Sequence, residues 1–285
     1  MNYRDLWHQL APSHGESEAK AVARMVYEVR YGLSLSDLYA GKDTQLSADD
    51  QAELQEIARR LSNHEPVQYV LGQTDFCGRT FLVNEHVLIP RPETAELCQW
   101  ILSSSISFPS LSPIPILDIG TGSGCIAITL AASFSDAEVY AWDISPEALE
   151  VARTNAVRNS VNVHFEPVDI LSIAPSLWRG LGEAFTLIVS NPPYICHCEA
   201  AAMDANVLDH EPHTALFVPD DDPLLFYRAI ATFGQQMLQP DGWLYFEINP
   251  IYANDLRELL HIMSYHDIEI KEDQFGKQRF IRAQR

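Results

Sequence analysis

Apolar positions recur at helical intervals from Glu16 to Tyr31, and Ser47-Ala48-Asp49-Asp50 reads as an N-cap before a second helical stretch over Gln51 to Leu61. Residues 1–72 are therefore expected to form a small helical N-terminal domain. Thr74 to Val83 is split by Cys77-Gly78-Arg79 and reads as a β-hairpin, so residues 73–90 are expected to be a hairpin linker. Beyond Glu93 the period changes. Short apolar runs alternate with helical stretches, which implies a parallel sheet covered on both faces and places residues 91–285 in an α/β domain. Strands are expected near 116–120, 138–143, 162–166, 185–190 and 242–248, with a closing pair near 267–273 and 278–283. The uncharged tract from Trp100 to Leu117 holds six serines and is broken by Pro109, Pro113 and Pro115, so it reads as a loop and not as a membrane span. Asp220-Asp221-Asp222 before Pro223 reads as a solvated loop leading into a helix.

The strand expected at 185–190 runs directly into Asn191-Pro192-Pro193-Tyr194. In open α/β sheets ligands collect outside the carboxyl ends of the strands. Two prolines there fix φ and remove backbone donors, which holds the carbonyls of the turn outward. The Asn191 side-chain carbonyl and its backbone neighbours can then accept both hydrogens of a planar NH2 group, with the Tyr194 ring closing over it. Such a site suits an amide or amino nitrogen.

About 70 residues upstream, Ile116-Leu117-Asp118-Ile119 leads into Gly120-Thr121-Gly122-Ser123-Gly124 and a helix-like segment from Cys125. Glycines let a backbone approach a ligand closely. By itself such a turn serves dinucleotides, nucleoside cofactors or tight packing alike. The next strand ends at Asp143, about 20 residues on, the spacing at which a carboxylate takes a ribose diol. The loop has no Lys-Ser/Thr pair for a triphosphate, and Asp118 beside it repels phosphate. A cationic nucleoside cofactor, S-adenosylmethionine, fits better than NAD or ATP. Asp118 has two readings, direct cofactor contact or ordering of the turn through backbone N–H groups.

Further stretches in the same order are Glu65-Pro66-Val67-Gln68-Tyr69-Val70-Leu71-Gly72, Phe76-Cys77-Gly78, Val87-Leu88-Ile89-Pro90-Arg91-Pro92-Glu93-Thr94 and Glu211-Pro212-His213-Thr214-Ala215-Leu216. With these the chain resembles the release-factor glutamine methyltransferase (PrmC/HemK) family over effectively its full length. The Ile-Pro-Arg-Pro-Glu-Thr stretch discriminates far better than the glycine turn, whereas Asn-Pro-Pro-Tyr alone also resembles adenine-N6 methyltransferases of nucleic acid. The resemblance implies a seven-stranded, Rossmann-like class I SAM-dependent methyltransferase domain with an antiparallel last strand, behind a helical domain that docks the substrate. It implies that Gly120, Thr121, Gly122, Ser123 and Gly124 line the cofactor with Asp118 beside them, and that Asp143 binds the ribose. It further implies that Asn191, Pro192, Pro193 and Tyr194 hold the substrate amide, with Asn191, Pro192 and Tyr194 carrying catalysis and Asn191 also bordering the cofactor. The position where the family often has an aromatic beside adenine falls at Ile170, and Asp169 is left to take the adenine amino group. Departures from the family pattern occur at Ala95-Glu96 and at Asn249-Pro250, away from the residues assigned to chemistry. Arg91 and Glu93 are read as a signature, as a possible ion pair and without a catalytic role, and Glu247 at a strand end is left with an open role.

The implied activity is methyl transfer from S-adenosylmethionine to the side-chain amide nitrogen of a glutamine in peptide chain release factors, which modulates translation termination. A ribosomal-protein glutamine, an adenine-N6 position in nucleic acid and a cofactor-binding scaffold without turnover are the competing readings. Charge bears on this choice: 19 Lys plus Arg against 39 Asp plus Glu give a net charge of −20, which opposes nonspecific nucleic-acid binding. A protein partner and no direct nucleic acid are expected. At 285 residues and 47% apolar content the chain suits two domains. No secretory signal opens it, and the five scattered cysteines fit a reduced protein, so a cytoplasmic monomer with no membrane association is expected. Cys196-His197-Cys198 lacks a second cluster at zinc-like spacing, so no metal is expected. His197, His210 and His213 are read as loop histidines.

Overall fold

The protein is described from a computed structural model over residues 1–104, 113–173 and 185–285. It divides into two compact units, Met1–Gln73 with Asp204–His210, and Thr74–Met203 with Glu211–Arg285. The first unit contains α1 (Tyr3–His14), α2 (Glu16–Tyr31), α3 (Leu35–Tyr39), α4 (Ala48–Ser62) and α5 (Val67–Leu71). Side-chain caps start three of these helices: Asn2, Ser34 and Ser47 each form a reciprocal capping box with an aspartate at the third helical position. Their apolar stripes meet in one core, in which Leu6, Leu10, Val26, Tyr27, Leu54 and Leu61 are buried. Each such side chain contributes roughly 1.5–3 kcal/mol on leaving water.

The second unit opens with the hairpin β1 (Gln73–Phe76) and β2 (Arg79–Leu82). Its two turn residues, Cys77 and Gly78, both have left-handed φ, 49° and 72°, as a two-residue hairpin turn that follows the strand twist requires. α6 (Pro92–Ser103) leads to the alternating elements β3 (Ile114–Ile119), α7 (Cys125–Ser133), β4 (Ala137–Asp143), α8 (Pro146–Arg158), β5 (His164–Pro167) and β6 (Phe185–Ser190). After the two-residue strands β7 (Ile195–Cys196) and β8 (Phe217–Val218) come α10 (Leu225–Met237), β9 (Leu238–Glu247), α11 (Ala253–Ile262), β10 (His266–Glu272) and β11 (Gln278–Gln284). A further α-helix among the described residues, α9 (Ala205–His210), belongs to the first unit.

The large sheet has the order β10-β11-β9-β6-β3-β4-β5. Its pairs are parallel except those of β11, which runs antiparallel to both β9 and β10. Successive side chains of a strand alternate between faces, and the core divides accordingly. Ile116, Leu187 and Val189 pack with Cys98, Ile126 and Ile128 on the α6–α7 side, while Leu117, Ile119 and Ile188 pack with Phe233 and Leu256 on the α10–α11 side. The central strands β3 and β6 are buried almost throughout, so their carboxyl ends emerge from a rigid base.

Two sequence expectations need correction. The tract Trp100 to Leu117 is not a loop at either end, because α6 continues through Ser103 and β3 begins at Ile114; the centre of the tract lies outside the described residues. Pro115 is compatible with the strand because the β6 pairing of β3 starts only at Ile116, and proline is tolerated where a strand begins. Asp204–His210, which the boundary 91–285 placed with the sheet, groups with the helical unit. His210 there lies close enough to Glu65 to help hold its carboxyl below the usual range, behind the larger effect of the Arg60 guanidinium bonded to it. Such proximity across some 145 positions leaves no local trace in a sequence.

Candidate active site

The carboxyl ends of β3, β4, β5 and β6 border a cavity of about 370 Å³, within the roughly 300–1,000 Å³ of small-molecule sites. Gly120, Thr121, Gly122 and Ser123, then Asp143, Asp169, Ile170, Asn191, Pro192 and Pro193 all line it. Positions up to 73 apart in sequence thus share one chamber. Gly120 and Gly122 have φ of 73° and 53°, and a Cβ at either would meet no atom within 4 Å. The backbone of the turn is therefore open to whatever fills the space above it.

The turn is held by hydrogen bonds from both sides. Gly120 N and Thr121 N donate to the Trp142 carbonyl at 2.8 and 2.9 Å, and Gly122 N donates to Asp143 Oδ2 at 2.8 Å. Asp143 Oδ1 accepts from Ser145 N at 2.9 Å. The carboxylate has lone-pair capacity for a ligand beyond these bonds. Asn155, fully buried, donates to the Ser123 carbonyl at 2.9 Å and exchanges two bonds with Leu82, tying the hairpin to the turn. Beyond β5, Asp169 accepts from Leu171 N at 2.9 Å and from the Ser172 hydroxyl at 2.6 Å, which shapes the loop that carries Ile170 into the cavity wall.

Three residues proposed from sequence do not line the cavity. Asp118 is fully buried and accepts from the Thr121 hydroxyl at 2.6 Å and from Ala127 N at 3.2 Å, which places it behind the turn. Burial pushes its carboxyl up to about 7, against the lowering effect of those two bonds. A raised folded-state pKa favours the folded protein at low pH and loses that contribution as pH rises through the folded value. Wild type is therefore expected to gain on Asp118→Asn by on the order of 2 kcal/mol between pH 8 and pH 5. Denaturant unfolding at the two pH values checks this, and a constant difference would contradict it. Gly124, at φ 81°, caps α7, and a Cβ there would lie 2.9 Å from Ile128 Cδ1 and 3.2 Å from Ala152 Cβ. Gly124→Ala should lower stability by about 2–4 kcal/mol, since left-handed strain adds to overpacking; an unchanged melting temperature would show that α7 and α8 can part.

Tyr194 is the third. Its ring packs against the core and its hydroxyl donates to Glu247 Oε1 at 3.1 Å. The sequence reading placed this ring over the NH2 group; the structure turns its hydroxyl to the end of β9. The other oxygen, Glu247 Oε2, accepts from the Thr94 hydroxyl at 2.7 Å, and Thr94 Oγ1 accepts from Asn191 Nδ2 at 3.2 Å. Thr94 and Glu247 are both buried. Burial pushes the Glu247 carboxyl up to about 7, and Glu93 raises it too, while Thr94, Tyr194 and Arg279 act to lower it. Asn249 Nδ2 donates to the Tyr194 carbonyl at 3.2 Å and so fixes the exit of the double-proline turn.

Sequence reasoning missed Thr94 and the partner of Arg91. Arg91 pairs with Glu211, whose Oε2 also accepts from Ile89 N at 3.1 Å. This side chain is only 1% exposed, and it joins the two motif stretches that carry Ile89 to Arg91 and Pro212 to Ala215 around the cavity. Glu93, the ion-pair candidate beside Arg91, contributes instead to the field around Glu247 and Tyr194. The one available signal for Thr94 was Pro92, a first-turn proline that marks a helix start two residues earlier. Cys196, His197 and Cys198 face separate partners: the Tyr252 hydroxyl, the Phe217 ring and Asp220 respectively.

Comparison with known proteins bears on this geometry. The Methyltransferase domain family matches residues 111–221, and the PrmC N-terminal domain family matches residues 7–72. A release factor glutamine methyltransferase from Bacteroides thetaiotaomicron is 47% identical over 269 residues, 94% of this chain and 93% of its own. Another from Flavobacterium psychrophilum is 41% identical over 283 residues, 99% and 98% of the two chains. The chain belongs to the release factor glutamine methyltransferase family. A solved T. thermophilus 16S rRNA N2 G1207 methyltransferase, in complex with AdoMet and guanosine, shares the fold with a TM-score of 0.52 at 15% identity, covering 75% of this chain and 49% of that one. The sheet is thus the class I methyltransferase sheet. Membership of the release factor glutamine methyltransferase family implies use of S-adenosylmethionine. The residues present fit that group: an open glycine turn, a carboxylate at the end of β4, and Arg91 already paired with Glu211 and so not free for a phosphate. Among the described residues no helix is long and apolar enough to cross a membrane.

Proposed function

We propose that this protein transfers a methyl group from S-adenosylmethionine to the side-chain amide nitrogen of a glutamine in peptide chain release factors. The observation that carries the reading is the setting of Asn191 at the cavity wall, with its amide nitrogen bonded to Thr94 and its carbonyl oxygen left for a ligand. Gly120 to Ser123 hold the cofactor from below and Asp143 takes its ribose hydroxyls. Asp169 takes the adenine amino group beside Ile170, and Asp118 and Gly124 shape the turn without contact. The bound cofactor supplies an electrophilic methyl group.

An amide nitrogen is a poor nucleophile because its lone pair is delocalised into the carbonyl. The protein's part is to align it and to favour the pyramidal, positively charged form that develops during direct in-line attack. Asn191 Oδ1 and the backbone carbonyls beside Pro192 and Pro193 accept the two N–H hydrogens, and their partial negative charge strengthens as the nitrogen becomes cationic. Alignment of this kind is worth about 7–11 kcal/mol in favourable systems. After transfer the nitrogen loses its extra proton to water, and no enzyme nucleophile is involved. The helical unit is the docking surface for the protein substrate in this reading.

The test is intact-mass analysis of a purified, unmethylated release factor incubated with the protein and S-adenosylmethionine, followed by peptide mapping. Gain of one methyl group on a single glutamine amide is the expected result. Methylation of a ribosomal-protein glutamine or of an adenine in nucleic acid, with none on the release factor, would overturn it.

A further inference from the structure

Asparagine is an ambiguous residue for the task just assigned to Asn191. Its oxygen and its NH2 group occupy nearly the same space, and only the oxygen can accept from a substrate NH2. A half-turn about the last side-chain torsion would present two donors to two donors. Something must select the orientation, and the hydrogen-bond chain behind Asn191 does so by proton counting.

Thr94 has one hydroxyl proton. Glu247 Oε2, at 2.7 Å and buried, takes it. Thr94 Oγ1 is then an acceptor only towards Asn191, so the group it meets at 3.2 Å must be the NH2 and not the oxygen. The second Glu247 oxygen is occupied by the Tyr194 hydroxyl at 3.1 Å, and the Tyr227 hydroxyl donates to the Glu247 backbone carbonyl at 3.1 Å, anchoring the end of β9. We infer that Glu247, acting through Thr94, is the positioning device that turns the Asn191 carbonyl oxygen towards the substrate amide, with Tyr194 holding the carboxylate in place. The inference rests on the reading of Asn191 as the acceptor for a substrate NH2 group.

The polarity of this relay depends on Glu247 being ionised: once the carboxyl, raised by burial to about 7, takes up a proton, it donates to Thr94 and the relay reverses. In Glu247→Gln every group is satisfied only when the relay reverses: Tyr194 donates to the glutamine oxygen, the glutamine NH2 donates to Thr94, and the freed Thr94 proton goes to Asn191 Oδ1. The other glutamine rotamer leaves the buried Tyr194 hydroxyl proton without an acceptor, an unfavourable state. The variant is nearly isosteric, so it keeps the packing while it removes the charge and changes the direction of the hydrogen bonds; the double variant with Asn191→Ala separates the two effects. Thr94→Val cuts the chain instead, and Thr94→Ser keeps it.

The experiment measures turnover of the release factor substrate, affinity for S-adenosylmethionine and melting temperature in Glu247→Gln, Thr94→Val, Thr94→Ser, Asn191→Ala and Asn191→Ala/Glu247→Gln. A tenfold or greater fall in kcat is expected for Glu247→Gln and Thr94→Val, with cofactor affinity within about threefold of wild type, and Thr94→Ser should recover most of the turnover lost in Thr94→Val. Adding Glu247→Gln to Asn191→Ala should lower kcat no further, because a residue that acts through Asn191 has nothing left to act on. Additive losses in the double variant, or full turnover in Glu247→Gln or Thr94→Val, would overturn the relay while leaving the amide-cradle reading intact. If Asn191→Ala itself turned over normally, the cradle reading would fail and the relay with it. A substrate-free readout is the amide-proton exchange of the Asn191 side chain by NMR: slow in wild type and Thr94→Ser, fast in Thr94→Val and in Glu247→Gln. Exchange that ignores both substitutions refutes the relay whatever the substrate.

Discussion

Asn191→Ala is expected to lower kcat for release factor methylation by roughly 10²–10³-fold, the loss seen when one preorganised group facing developing charge is removed. The affinity for S-adenosylmethionine should change little, because the cofactor assignment rests on the glycine turn, Asp143 and Asp169, which keep their own bonds. The reason for the asymmetry is the timing of the interaction. A neutral amide NH2 bonds to Asn191 Oδ1 modestly in the ground state, and the bond tightens as positive charge builds on nitrogen, so kcat falls more than KM rises. Single-turnover kinetics, which isolates the methyl-transfer step, is the measurement that checks it. Near-normal turnover in a folded variant would sink the acceptor cradle.

Asp143→Ala should act in the opposite manner, weakening S-adenosylmethionine by about 100-fold or more with a smaller effect on kcat at saturation. Hydrogen bonds to a charged group contribute about 1.5–3 kcal/mol each, and this carboxylate does double service at the end of β4. It is assigned the ribose hydroxyls, and it receives Gly122 N and Ser145 N on separate oxygens. Asp143→Asn is expected to fall little short of the alanine variant. An asparagine has one oxygen to offer two backbone N–H donors, and its own NH2 would face the other. Calorimetric titration of S-adenosylmethionine against wild type and both variants is the check, with melting temperature as the control for folding. Unchanged affinity in Asp143→Ala would remove the ribose assignment.

Much of this architecture was readable because it is encoded locally. The strands from β3 to β6, β9 and the closing pair fall where apolar runs end in turn residues. β6 is a fully buried run of six residues leading straight into Asn191. The glycine turn and Asp143 were legible for the same reason. Left-handed φ at Gly120 and Gly122 is a backbone requirement met by residue type, and two adjacent parallel strands end side by side, with Ile119 paired to Trp142 just before Asp143. The two ends of the Trp100–Leu117 tract misled because prolines and serines mimic a loop, whereas α6 buries Leu97, Cys98, Trp100 and Ile101 against the sheet and β3 begins at Ile114. Tertiary packing overrode local propensity there.

By itself the sequence determined the order of elements and the strand-end placement of Asn191-Pro192-Pro193-Tyr194, and it suggested the chemistry proposed for that motif, since these follow from periodicity and residue type within about ten positions. The fold alone decided what surrounds that motif. Thr94 meets Asn191 across 97 positions, Glu247 meets Tyr194 across 53, and Glu211 meets Arg91 across 120. Each of these pairings depends on which strand ends become neighbours and on which rotamers the packing leaves open. Hydrogen-bond direction adds a further constraint of the same kind: in the proposed relay, whether Asn191 offers an oxygen or an NH2 follows from a proton on Thr94 and from the ionisation of Glu247, and three residues from three separate elements must be in place before that question has an answer.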